Sequence, residues 1–315
     1  MSLTLRSAAP RTSESTDQFD TRAVVVPRSR KAPKVRTGSV SRPGRPSRLV
    51  TTIKWVVIVV AIALALGPIL YMVGMSFKSP DDILSTRILP SRLAFENWVS
   101  AFANWPILTY LRNSIGAATI AVIVSLSVAI PANYAIARLR AGGSQTLGLI
   151  VSAYIAPPIV AVIPLFILVR TAGLMDSVVG LGLIEGLMLT PVAVWLLDSF
   201  FRAIPAEIDE AAALDGCGPL RTLWSVILPL TAPGIVAVAI IVFILVYNDF
   251  LIPLLLTQSV DSQTLPVGIA LMQGGREVMF GQMAAASLAG LIPIYLLALF
   301  LQKWLIGGLT QGSVK

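Results

Sequence analysis

Residues 55–77 read WVVIVVAIALALGPILYMVGMSF, an apolar run without a single charged residue. A helix rises 1.5 Å per residue, and about 20 such residues cross the roughly 30 Å hydrocarbon layer of a bilayer. No water is present there to satisfy backbone amides, so a helix is the form the run must take. Working outward, five more runs of this character follow: about Ser114 to Ala137, Leu147 to Val169, Val178 to Phe201, Ala232 to Leu256 and Ala284 to Ile306. The third and fourth contain Pro and Gly, and the fourth also contains Glu185, which softens their edges. The fold expected is all-α integral membrane, with six spans over residues 51–315.

The composition of the whole chain agrees. Of its 315 residues, 56% are apolar and 13% charged, with a mean hydropathy of +0.82, whereas soluble domains carry about 25% charge. Histidine is absent, which removes the usual general base and the commonest transition-metal ligand. A single cysteine, Cys217, excludes an intrachain disulfide and a thiolate metal cluster. Nor does any Gly-Lys pair occur, so the phosphate-cradling P-loop is missing. Any ATP-driven work must use an ATPase supplied by another chain, and no cofactor or metal is expected on this one.

Charge is unevenly placed. Residues 1–54 hold 12 of the 24 Lys and Arg against three acids, Glu14, Asp17 and Asp20. Residues 1–50 are also rich in Pro, Ser and Thr, and too poor in apolar surface to offset the entropy of ordering. They read as a disordered basic tail. A solvated arm that fixes orientation and attracts anionic headgroups is one reading; a nucleic-acid-binding arm is another, without aromatic interleaving to support it. Arg36, Arg42, Arg45, Arg48 and Lys54 cluster before the first span, and Lys/Arg excess marks the cytoplasmic side. The twelve later basic residues divide evenly between the two sides. The tail therefore decides the expected topology, with both termini cytoplasmic and the chain multi-pass in the cell membrane.

That topology places the loop from about Arg202 to Thr231 in the cytoplasm. Its centre reads Ile204-Pro205-Ala206-Glu207-Ile208-Asp209-Glu210-Ala211-Ala212-Ala213-Leu214-Asp215-Gly216-Cys217-Gly218. Pro205 suits the first turn of a helix, and the acids at 207, 209 and 210 complement the positive end of its dipole. Ala211 to Ala213 favour helix, and Gly216 is a natural left-handed stop. Glu207, Glu210, Ala211 and Leu214 then share one face. The product is a short, thin helix that can enter a groove on a partner.

The run Glu210-Ala211-Ala212, then Asp215-Gly216, then Ile227-Leu228-Pro229 resembles the EAA motif of ABC importer permeases. Cys217 stands where that family usually has Ala. The likeness extends over most of residues 55–315 and points to the carbohydrate-importer branch. Ser76-Phe77-Lys78, Asn113-Ser114, Ala132-Asn133-Tyr134-Ala135, Tyr247-Asn248-Asp249-Phe250-Leu251, Thr264-Leu265-Pro266-Val267-Gly268 and the terminal stretch Gly307 to Lys315 are similar to that branch in the same order. The resemblance implies the type I importer permease fold, with Glu207, Glu210, Ala211, Ala212, Leu214, Asp215 and Gly216 coupling to an ABC ATPase dimer. It implies a second, homologous permease chain and an extracytoplasmic solute-binding protein as further partners, and no nucleic acid. ATP and Mg would act on the ATPase, and the solute would be a di- or oligosaccharide moved by alternating access.

Polar or broken positions inside the spans are the candidates for the solute path, because an ionisable group there costs about 2.5–3.5 kcal/mol on insertion scales. Glu185 either lines that path, or snorkels or bonds to a neighbouring helix. Asn248 and Asp249, expected in the outward half of the fifth span, either bind sugar hydroxyls or stabilise the span's end. Pro157, Pro158 and Pro164 make a kink or a path-lining hinge. Gly182 and Gly186 have the spacing of a helix-packing contact. Two rival classes are a secondary transporter, which would carry more buried ion ligands, and a membrane anchor for a nucleic-acid-binding tail, which would need no coupling helix.

Overall fold

The quoted run forms most of helix α1 (Arg48–Ser76). It is apolar all round, and none of its most apolar window is buried by the rest of the chain. A helix of that kind belongs in apolar surroundings. The computed structural model describes residues 48–83, 85, 87–143, 145–155, 158–273 and 279–311. The expected tail, up to residue 47, lies outside the described residues, and α1 already begins at Arg48. The described residues from 57 onward form one compact unit.

After α1 come α2 (Glu96–Asn104), α3 (Ile107–Asn133), α4 (Thr146–Ile155), α5 (Pro158–Thr171), α6 (Val178–Arg202) and α7 (Glu207–Leu214). Then follow α8 (Pro219–Thr222), α9 (Leu228–Tyr247), α10 (Leu251–Leu256), α11 (Leu265–Leu271) and α12 (Phe280–Gln311). A π-turn at Tyr134–Arg138 prolongs α3, and another at Leu223–Ile227 joins α8 to α9. Among the described residues, five helical runs are long and apolar enough to cross a membrane: Thr51–Ser76, Ile107–Arg138, Val178–Arg202, Pro219–Tyr247 and Phe280–Leu301.

One expected span is corrected, and another is described only in part. The segment Leu147 to Val169 is helical on either side of 156 and 157, which lie outside the described residues, as α4 and α5. The segment Ala232 to Leu256 is displaced: its helical run begins at Pro219 and stops at Tyr247. Asn248 Nδ2 donates to Ile244 O (2.8 Å), and Asp249 Oδ1 accepts from Leu251 N (3.1 Å). Side chains that bond the local backbone in this way compete with the helix and end it. The loop expected to reach Thr231 is shortened accordingly.

The core is built on α3 and α6. Ala117 and Ala121 on α3 meet Gly182 and Gly186 on α6, so the two backbones approach closely. A Cβ on Gly182 would lie 2.7 Å from Ile120 Cβ, and one on Gly186 would lie 2.8 Å from Ala121 O. Small residues permit such an approach where apolar burial alone drives little association. Asn133, wholly buried on α3, donates to Val194 O on α6 (2.9 Å). Helix α9 packs on both through Val238, Val242 and Val246. Tyr247 then reaches α12, its hydroxyl donating to Gly290 O (2.8 Å).

At the end of the bundle away from α7, polar side chains tie three connections together. Asn113 Nδ2 donates to Val260 O (3.1 Å) and Gln263 O (2.9 Å), and Ser114 Oγ accepts from Leu265 N (2.8 Å). Asp176 Oδ1 accepts from Gln258 N (2.7 Å), Ser259 N (2.8 Å) and the Ser262 hydroxyl. The Ser259 amide is the largest of the influences that hold the Asp176 carboxyl well below the usual carboxylate range.

Candidate functional site

Helix α7 is the short helix anticipated between the fourth and fifth spans, and it starts two residues after Pro205. Its first turn carries Glu207, Asp209 and Glu210, and no side chain caps it. Its end is a Schellman motif. Cys217 N donates to Ala212 O (2.9 Å) and Gly216 N to Ala213 O (3.0 Å), with Gly216 at φ +78°.

The helix has two different faces. Glu207, Glu210, Ala211 and Leu214 are exposed, Leu214 at 90%. Asp215 and Gly216 continue this exposed edge. Ala212, at 6% exposure, turns inward with Ile208 and Asp209. The inward face rests beside both π-turns, where Tyr134 neighbours Thr222, Arg138 and Asp209. On the other flank a cavity of about 390 Å³ opens between Phe200, Pro205, Ile208, Leu230 and Gly234.

Arg138 and Asp209 complete this site; sequence reading gave Asp209 a helix-dipole role and counted Arg138 only among the basic residues of one side, and paired neither. The Arg138 side chain is 8% exposed. Its Nε donates to Asp209 Oδ2 (2.8 Å), Nη1 to Ile204 O (2.6 Å) and Phe201 O (3.4 Å), and Nη2 to Pro205 O (2.9 Å) as well as to Asp209. A basic residue after an apolar run reads as a topology marker. What could have set Asp209 apart was its register: it falls off the 207, 210, 211, 214 stripe.

The intramembrane candidates are brought together only in part, Glu185 with Asp249. Glu185 on α6 is 3% exposed, both its carboxylate oxygens are buried without a hydrogen-bond partner, and it faces Asp249. Asn248 and Asp249 sit at the end of α9 rather than within it, each bonded to nearby backbone. Pro158 is the first residue of α5, far along the chain from the others, and Pro157 lies outside the described residues.

Comparison with known proteins gives this geometry a setting. The family model described as binding-protein-dependent transport system inner membrane component matches residues 129–310, which include α7 and most of the core. The trehalose transport system permease protein SugB of Mycobacterium tuberculosis is 36% identical over 265 residues, covering 83% of this chain and 97% of SugB. The trehalose/maltose transport system permease protein MalG of Thermococcus litoralis is 32% identical, covering 80% of this chain and 92% of MalG. A chain of the bacterial ABC transporter involved in the import of the acidic polysaccharide alginate shares the fold, with a TM-score of 0.69 at 23% identity, over 83% of this chain and 98% of that one. This chain belongs to the family of inner membrane components of binding-protein-dependent transport systems, as a multi-pass transporter subunit and not an enzyme.

Proposed function

We propose that this chain is a permease subunit of a carbohydrate ABC importer and that α7 is its coupling helix. The observation that carries the reading is the exposed stripe Glu207, Glu210, Ala211 and Leu214, a thin acidic and apolar ridge projecting beyond the bundle. Asp215 and Gly216 shape its end. An ATPase dimer in other chains would take this ridge into a groove, and its closure on ATP would move α7. The α7 end would face the cytoplasm together with both termini. The opposite end would meet a solute-binding protein, and a second, homologous permease would complete the path. Relatives named for trehalose and maltose support a di- or oligosaccharide as the solute. Glu185, Asn248, Asp249, Pro157 and Pro158 remain the proposed path residues, with Glu185 and Asp249 forming one polar pair.

The test is the co-expressed complex with Glu210→Lys in this chain. A cation near the positive end of α7 opposes its dipole and reverses charge at the interface. Membrane abundance should stay normal, while ATPase retention on purification and sugar uptake both fall. Wild-type retention and uptake in that variant would remove α7 from the coupling role. Screening the cognate binding protein against disaccharides and larger sugars tests the solute class, and absence of binding across the panel would rule it out.

A further inference from the structure

We propose that Arg138 is a positioning residue of the transport cycle, transmitting displacement of α7 to α3; this rests on the reading of α7 as coupling helix. One guanidinium holds four points in sequence order: Phe201 O in the last turn of α6, Ile204 O and Pro205 O in the linker, and the Asp209 carboxylate in α7. Its nitrogens are all engaged, in a fork geometry that a lysine ammonium cannot reproduce. Carbonyls at a helix C-terminus lack intrahelical partners and attract a cation, so the clamp also closes the end of α6.

The surroundings make this clamp the principal polar tie between α7 and the bundle. Beneath Pro205 and Ile208 the cavity of about 390 Å³ leaves that flank without close packing. Without Arg138, α7 would be held by Ile208, Ala212 and the linker backbone, and could swing into that space. Arg138 itself ends the π-turn that prolongs α3. π-turns within helices often mark functional positions. At its other end α3 carries Asn113 and Ser114, which grip the 260–265 segment. Helix α3 thus has a polar grip at each end, one on the segment that would meet the ATPase and one on the segment at the opposite face. Between them its close packing on α6 leaves little room to bend.

The experiment uses the intact importer complex with Cys217→Ser and Asp261→Cys, the exposed residue 261 reporting on the gripped segment through its maleimide-labelling rate. In the parent complex, trapping with ATP and orthovanadate is expected to change that rate. With Arg138→Met the complex should retain its ATPase and hydrolyse ATP, yet the response of the rate to trapping should shrink about tenfold, as for loss of a buried charged hydrogen-bond set. Arg138→Lys should lie between. Should Arg138→Met fail to reach the membrane, Arg138→Lys decides: a reduced response upholds the clamp and a full response overturns it. A full response in Arg138→Met, or a parent complex whose rate ignores trapping, also overturns it. Glu210→Lys separates the two ideas, because its failure to weaken ATPase retention counts against α7 docking and leaves the Arg138 response to be read by itself.

Discussion

Gly216 and Asp176 show how single residues fix the two ends of this bundle. A Cβ on Gly216 would meet nothing within 4 Å, so any penalty there is conformational and comes from φ +78°. Left-handed backbone costs ordinary residues about 1–2 kcal/mol, less for Asn. Uptake per unit of membrane-inserted protein should therefore fall in the order Gly, Asn, Ala, Val at this position, without loss of insertion. Equal uptake across the series would mean that the turn after α7 does not matter to transport. Asp176 acts through charge. Its carboxyl is held below the ordinary value by amide and hydroxyl donors, so the stabilisation is complete above about pH 4, the unfolded value, and is lost progressively as pH falls from there through the folded one. At neutral pH, Asp176→Ala should speed hydrogen exchange at the amides of Gln258 and Ser259, and unchanged protection there would show that the segment is held by other means.

Among elements, the α3–α6 pair carries the packing. Gly182 already has Ile120 Cβ, Ala117 O and Ile120 Cγ2 within 3 Å of where a Cβ would sit. Gly182→Leu should push the helices apart and destabilise by about 1–3 kcal/mol, the usual cost of overpacking. The measurement is thermal denaturation of the purified complex. Gly67→Ala on α1 is the control: nothing lies within 4 Å of its Cβ position, and it should be neutral or slightly stabilising. If both variants denature alike, close approach of α3 and α6 is not what holds the bundle.

For the whole molecule, the question is which end faces which side. In a Cys217→Ser background, an engineered cysteine at Asp261 should react with an impermeant maleimide from outside intact cells, and one at Glu210 should react only after permeabilisation. The opposite pattern would invert the proposed topology. The tail cannot be the only determinant if the apolar runs insert in one orientation without it. Removing residues 1–47 should lower insertion fidelity, since ten of the 24 Lys and Arg lie there, while correctly inserted chains keep their packing.

The sequence by itself determined that lipid is the solvent, because apolar runs long enough to span a bilayer admit only helices. It also located α7, since acids, alanines and a left-handed glycine act within a few residues of one another. Local chemistry of that kind is legible without a fold. The break at Asn248 was less so: hydropathy averages over a window, whereas one or two side chains bonding to the backbone end a helix. What only the tertiary structure decided was the direction in which polar side chains point. Lys78 and Arg138 read as basic residues near span ends, yet Lys78 is wholly buried, donating to Ser85 O (3.1 Å) and Ser85 Oγ (3.2 Å). Arg138 gathers partners 63 to 71 residues away in the chain. No local pattern encodes a partner at that separation, because it is the packing of α3 against α6, through alanine and glycine, that brings the two together.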